Sequence, residues 1–289
     1  MLNRLFDRLA SVCLLAAIPG GLYAVDGVVL INQNTAVAGG VTPGDAPGFP
    51  VTISQSGSYR LSGNLVVPDA NTTAIEITAG WVTIDLNGFS IIGPTVCTTT
   101  ATPGCSPTGT GEGIVARPGA RSVRVFNGTV HGMGSNGIDL DIPDNFQAPN
   151  FTIGSVENVT ADNNGGFGIS ANAGVFTSVA FQNGSGIESA IVRDSLAYSN
   201  LAAGITVLAG TAIGDSAFQN DLSMMGNPGI ILGDAAAINN SSVFNGDLGF
   251  GAGCPSVVVN NNIQSTIEDV ATSDNAPCLV ANNSGVNRQ

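Results

Sequence analysis

Arg117, Arg121 and Arg124 fall within eight residues, and His131, the only histidine in the chain, follows seven positions later. Asp139, Asp141 and Asp144 come next. A base held beside a cation that neutralises a carboxylate is what proton abstraction next to that carboxylate requires. Arg124, His131 and Asp139 are therefore the candidate catalytic residues, with Arg117, Arg121 and Asp141 as binding residues. The competing reading is a set of solvated salt bridges on a long polar face, each contributing little. The run DLDIPDN, residues 139–145, also offers carboxylate oxygens to calcium through Asp139, Asp141 and Asp144. It lacks the spacing and terminal Glu of an EF-hand, and a solvated acidic insertion is its alternative. No cofactor is required by this reading; calcium is the one candidate ion. Glu157, Asp162 and Glu188 are expected at the surface.

These side chains can act together only if an element brings them together. Val123 and Val125 alternate with Arg124, so inward valines place Arg124 outside; an inward Leu140 does the same for Asp139 and Asp141. Stacked turns of chain would then bring Arg124 and His131 near Asp139 and Asp141 on one outer face.

Stacking is what the repeat predicts. The stretch VTIDLNGFSIIGP, residues 82–94, alternates like a strand, breaks at Asn87-Gly88 and runs apolar again. It is an imperfect early copy, matched at Asn87-Gly88, of a pattern that six later segments share: an apolar residue, any residue, Asn or Asp, two residues and an apolar residue. They start at Val125, Val156, Val192, Ile213, Ile238 and Val258. Their Asn or Asp positions (127, 158, 194, 215, 240, 260) step by 31, 36, 21, 25 and 20 residues. A second series interleaves: Gly113-Ile114, Gly137-Ile138, Gly168-Ile169, Gly204-Ile205, Gly229-Ile230 and Gly249-Phe250.

A period near ~20 residues, built of short strands broken at Asn or Gly, is the mark of a solenoid. The Asn/Asp column tolerates a left-handed bend and can hydrogen-bond from turn to turn as a ladder. The Gly-Ile column reads as a permissive bend followed by an inward apolar residue. An antiparallel sandwich would show hairpin loops every ~8–12 residues without a repeated phase. The two long steps predict insertions around 142–150 and 174–185. Trp81 and Phe89 are expected to fill the core or shield its end, with sugar stacking as the alternative.

Composition narrows the setting. Residues 1–24 carry Arg4 and Arg8, an apolar run from Leu9 to Ile18, then Pro19-Gly20-Gly21 and Ala24, the order of a secretory signal peptide. No other run is apolar and long enough for a membrane helix. The expected product is exported and monomeric, periplasmic or extracellular. Beyond residue 24, six arginines and no lysine stand against twenty acids, a net charge of −14. Such a chain repels a phosphate backbone, which excludes nucleic-acid partners. Four cysteines remain, and local pairing predicts Cys97–Cys105 and Cys254–Cys278.

The stretch TIDLNGFSIIG with the recurring GI and N/D-S turns resembles the secreted bacterial right-handed parallel β-helix proteins of pectate-lyase-like architecture. The resemblance covers roughly residues 74 to 282 and implies an all-β right-handed parallel β-helix of about nine turns at ~23 residues each. Residues 25–73 would form an N-terminal strand and cap region, with FPVTISQSGSYRLSGNLVV, residues 49–67, as two strands on the first coil. Residues 283–289 would be a tail.

The resemblance implies activity on polysaccharide, yet the motifs of the known enzymes are missing. The pectin-hydrolase set needs an Arg-Ile-Lys motif that a chain without lysine cannot supply, and VHGMG around His131 is not its Gly-His-Gly. The Tyr-Gly-x-Asp-Pro-His signature of alginate epimerases is absent too. A copper-delivery β-helix protein is a poor match, because one histidine offers copper few ligands. The expectation is a non-enzymatic surface, matrix or glycan-binding protein with polysaccharide or cell-surface partners. The alternative is a polysaccharide lyase-like enzyme acting on acidic polysaccharide through Arg124, His131 and Asp139.

Overall fold

The computed structural model describes residues 27–100, 102–141, 153–222, 226–246, 248–253, 255–265, 268–272 and 278–285. The expected signal peptide, the insertion expected around 142–150 with Asp144, and Cys254 lie outside the described residues.

Among the described residues, twenty-six strands join in one sheet whose pairings are all parallel, wrapped into a right-handed parallel β-helix. Three faces follow from the register. On the first, Val51, Ile75, Ile114, Ile138, Ile169, Ile187, Ile205, Ile230 and Phe250 stack inward. On the second, Tyr59, Ile84, Val125, Val156, Val175, Val192, Ala212, Ala237 and Val258 stack. On the third come Leu65, Ile91, Val130, Ala161, Ala180, Ala197, Ala217, Ser242 and Ile263. All these side chains are buried. Large residues on the first face meet alanines on the third through much of the rod, which fills a narrow coil without overpacking. A single coil cannot bury these residues alone, so each depends on its neighbours.

The Asn/Asp column divides in two. Asn127, Asn158, Asp194 and Asn260 have φ of 69°, 53°, 53° and 57°, the left-handed bend the repeat predicts. Asp215 and Asn240 sit one position further on, buried, after Gly214 and Asn239 have made the bend. There they belong to a ladder: the backbone N–H of Ser195, Asp215, Asn240 and Asn261 each donates to the side-chain oxygen one coil on, at 2.7–2.9 Å. Both columns accept Asn and Asp, so composition could not separate them.

A second ladder went unread in the sequence. Asn164, Asn183, Asn200, Asn220 and Asn245 stack, each backbone N–H donating to the next Oδ1 at 3.0–3.2 Å. Their Nδ2 groups donate to the Oδ1 above and to a backbone carbonyl of the preceding coil. This ladder also corrects the reading of the Gly-Ile column. Those glycines are not in the left-handed region. A Cβ at Gly168, Gly186 or Gly204 would lie 2.6–2.9 Å from Nδ2 of Asn183, Asn200 or Asn220. The glycine is needed for the close approach of the amide, not for a bend.

The insertion expected at 174–185 is a further coil instead. Gly174–Phe176, Val179–Phe181 and Ser185–Ser189 pair on all three faces, with Gly186-Ile187 as its Gly-Ile pair. Thr177-Ser178 replaces the Asn/Asp signature there, so the repeat is masked in the sequence. Parallel pairing also extends back through Val51–Ile53, Gly57–Leu61 and Leu65–Val66 to Val28–Ile31. The helix Gln33–Ala38 lies against this end. The Gln33 amide accepts from and donates to the backbone of Val66, at 2.8 and 3.2 Å, occupying an edge that would otherwise be open.

Cys97–Cys105 forms, joining the antiparallel strands Val96–Thr98 and Gly104–Ser106. Cys278 is disulfide-bonded as well, with its expected partner outside the described residues. Trp81 departs from expectation: it sits at a left-handed turn with 71% of its surface exposed. Phe89 packs against the core as expected. Among the described residues, no helix is long and apolar enough to cross a membrane.

Candidate functional site

The three candidate catalytic residues do not converge. Strand Val123–His131 bends at Asn127, so Arg124 stands outside the second face and His131 outside the third. Asp139 and Asp141 stand outside the first. Arg124, Asp139 and Asp141 point outward as alternation with the buried Val123, Val125 and Leu140 requires. The assumption of one shared face failed, because a left-handed bend between strands turns the chain to the next face.

Each residue has other company. Arg124 pairs with Glu157 on the next coil and lies 4.5 Å from the Phe126 ring centroid. Arg117 bonds Glu76 at 2.9 Å and approaches Glu112 at 3.6 Å. Arg121 is exposed in the turn before Val123. These pairings of Arg117 and Arg124 match the salt-bridge reading.

On the first face, Glu76, Val115, Asp139, Ser170 and Glu188 are in register along the outside. Asn136 Nδ2 and the Asp141 backbone N–H both donate to Asp139, at 2.9 and 3.1 Å. Burial, then the charge of Asp139 and a hydrogen bond to it, push Glu112 up to about 7, with Arg117 opposing. Burial and Asp139 also raise Asp141. Burial raises Glu188, with Asp141 and Asp139 adding to it. A carboxylic acid sharing a proton with a carboxylate is suited to acid-base work. Among the described residues, no group of three or more His, Cys, Asp or Glu could hold a metal ion. The calcium loop drawn from residues 139–145 falls mostly outside them.

The third face carries the arrangement that sequence reading missed. His131 Nδ1 and Asp162 Oδ2 are 2.6 Å apart, joining coils 31 residues apart in sequence. Asp162 was expected at the surface, but its side chain is only 12% exposed. Its Oδ2 also accepts from Asn163 Nδ2 at 2.8 Å. The hydrogen bond to Asp162 raises the His131 pKa, partial burial opposes this, and the carboxylate charge adds to the rise. With Nδ1 engaged, Nε2 is the second ring nitrogen of a side chain that is 39% exposed.

Beyond Asp162 the same lane continues in register through Phe181, Tyr198 and Phe218. Their rings stack at 4.9 and 5.2 Å with interplanar angles of 5° and 6°. These separations match the spacing of strands, about 4.8 Å. The rings therefore lie across the rod axis, edges outward, with one end of the stack toward Asp162. Val179 and Leu196 flank the lane. The signal was present in sequence as AFQN, AYSN and AFQN, at residues 180–183, 197–200 and 217–220. There the aromatic stands two positions before each ladder asparagine.

No family model matches the chain, and no curated protein matches its sequence. Among solved structures it is similar to the A-module of a mannuronan C-5 epimerase from Azotobacter vinelandii, at 12% identity and a TM-score of 0.42. The match covers 81% of this chain and 79% of that one. The likeness is one of chain course alone.

Proposed function

We propose that the protein is an exported β-helix rod that binds glycan along its third face without transforming it. The observation that supports this most is the continuity of the His131–Asp162 pair with the Phe181–Tyr198–Phe218 stack. An apolar strip ending in a few placed polar groups is how small ligands and sugars are held, the strip supplying area and the polar groups orientation. The net charge favours a neutral glycan over a uronate chain. The lyase alternative loses its assembled site, since Arg124, His131 and Asp139 stand on three faces.

A second reading rests on Glu112, held at about 7 beside Asp139. A carboxyl group protonated near neutrality could donate to a glycosidic oxygen, with a neighbouring carboxylate as its partner. This would make the first face a hydrolytic site.

Calorimetric titration with a panel of neutral and acidic oligosaccharides separates these readings. Binding to a neutral oligosaccharide that weakens about tenfold in Tyr198→Ala, with the sugar recovered intact, is the expected result. Sugar cleavage lost in Glu112→Gln would establish the second reading. Absence of binding to every member would end the first.

A further inference from the structure

The His131–Asp162 pair does not stand alone: a chain of hydrogen bonds ties it to the disulfide hairpin. The backbone N–H of Cys97 donates to Asn163 Oδ1 at 2.9 Å. The same amide donates through Nδ2 to Asp162 Oδ2 at 2.8 Å, and Asp162 Oδ2 meets His131 Nδ1 at 2.6 Å. The orientation of Asn163 is dictated by its neighbours. A backbone N–H can only donate and an ionised carboxylate can only accept, so oxygen must face Cys97 and nitrogen must face Asp162.

The hairpin is short and meets the rod at a few points. Its strands, Val96–Thr98 and Gly104–Ser106, pair over three residues each, and an isolated two-stranded hairpin is marginal in water. Thr95 closes its base by donating to the Pro107 carbonyl at 2.6 Å. Above that base, the Cys97–Asn163 bond and the contacts of the two sulfurs with the Asn164 carbonyl, at 3.5 and 3.8 Å, set where the hairpin lies, and the disulfide holds both sulfurs at that carbonyl. Cys97 is buried, while Cys105 is partly exposed and offers a reductant its approach.

We infer that the Cys97–Cys105 hairpin positions the His131–Asp162 pair through Asn163, so that opening the disulfide changes the proton affinity of His131. Asn163 is a positioning residue in this scheme. The redox step is thiol exchange with a dithiol reductant. Its two thiols become a disulfide, and the two electrons and two protons they release convert Cys97 and Cys105 to thiols. Freed of its cross-link, the hairpin no longer fixes the Asn163 amide, and Asp162 exchanges a fixed donor for water. The other groups facing His131 are few. Ile92 lies on the preceding coil, Asp162 on the following one, and the paired hairpin residues carry no charged side chain. Tyr198, whose hydroxyl is raised by burial and by Asp162, is the nearest further titratable group along the lane. The inference rests on these bonds and holds whether or not the face binds glycan.

His131 being the only histidine, the imidazole C–H proton resonance of the untagged chain reports it without assignment. The test is its NMR titration in four forms: the parent chain, Cys97→Ser/Cys105→Ser, Asn163→Gly, and the combination of all three changes. The cysteine variant is preferred to chemical reduction because Cys278 is also disulfide-bonded. Glycine at 163 keeps the left-handed backbone, φ 58°, without strain while deleting the amide. The expected result is a midpoint displaced by about 0.3 pH units or more in the cysteine variant, displaced the same way in Asn163→Gly, with the combined form no further displaced than either. An unmoved midpoint in the cysteine variant, or displacements that add in the combined form, would overturn the inference. Parent-like far-ultraviolet dichroism in each form ensures that the titration reports a folded chain.

Discussion

The backbone N–H of Asp215 donates to Asn240 Oδ1 at 2.8 Å, one rung of a buried ladder, yet Asp215 Oδ2 has no hydrogen-bond partner. Asn240, at the equivalent place one coil on, uses its Nδ2 to donate to the Ala212 carbonyl at 3.0 Å. An aspartate thus occupies a position built for an amide. Burial pushes Asp215 up to about 7, with the Asp194 charge adding to this; hydrogen bonds from the Ser195 and Ile213 backbone, and Arg193, pull the other way.

Because its folded-state pKa lies above the unfolded value, Asp215 holds a proton in the folded chain that the unfolded chain releases. Its effect on stability is therefore most favourable below about pH 4, declines as pH rises and levels off above about 7. Asp215→Asn supplies the missing donor. It should stabilise the protein by roughly 1–3 kcal/mol at pH 8 and change little at pH 4. Urea unfolding at the two pH values checks this, and equal midpoints at pH 8 would count against a strained Asp215.

The second ladder should be the more sensitive to truncation. Asn200 Oδ1 accepts from the backbone and side chain of Asn183, and its Nδ2 donates to the Ala180 carbonyl and to Asn220. Asn200→Ala would orphan several of these buried groups and should cost about 3 kcal/mol or more. Asn158→Ala, at an exposed left-handed turn with φ 53°, should cost about 1 kcal/mol. Comparing denaturant midpoints of the two variants tests the difference; equal losses would show that the ladder carries no special weight.

Glu112 offers a third check. Isotope-edited carboxyl NMR should find it titrating near 7. Asp139→Asn removes a neighbouring charge that raises it, so the midpoint should fall. Arg117→Ala removes the cation that holds it down, so the midpoint should rise. A midpoint in the ordinary carboxylate range in the parent chain would dispose of the hydrolytic reading of the first face.

Some of this was legible in the sequence and some was not. The inward setting of Ile114, Ile138 and Ile169 followed from the Gly-Ile repeat, and the outward setting of Arg124 from its flanking valines. The local disulfide Cys97–Cys105 was legible from spacing. The coil at 174–189 was missed, because Thr177-Ser178 does at its bend what Asn and Asp do elsewhere. Asp162 was passed over as a surface acid, since nothing within its own strand marks it as the partner of His131.

What the sequence by itself determined was the periodic part: parallel coils, an aliphatic interior, and the side of the wall on which each residue lies. Those properties follow from alternation within a strand and from the recurrence of one short unit, both readable a few residues at a time. Only the tertiary structure decided which outward residues meet. Left-handed bends assign neighbouring strands to different faces, and register pairs residues a whole coil apart. Arg124 and His131, seven residues apart, are thereby separated, and His131 and Asp162, thirty-one apart, share a hydrogen bond.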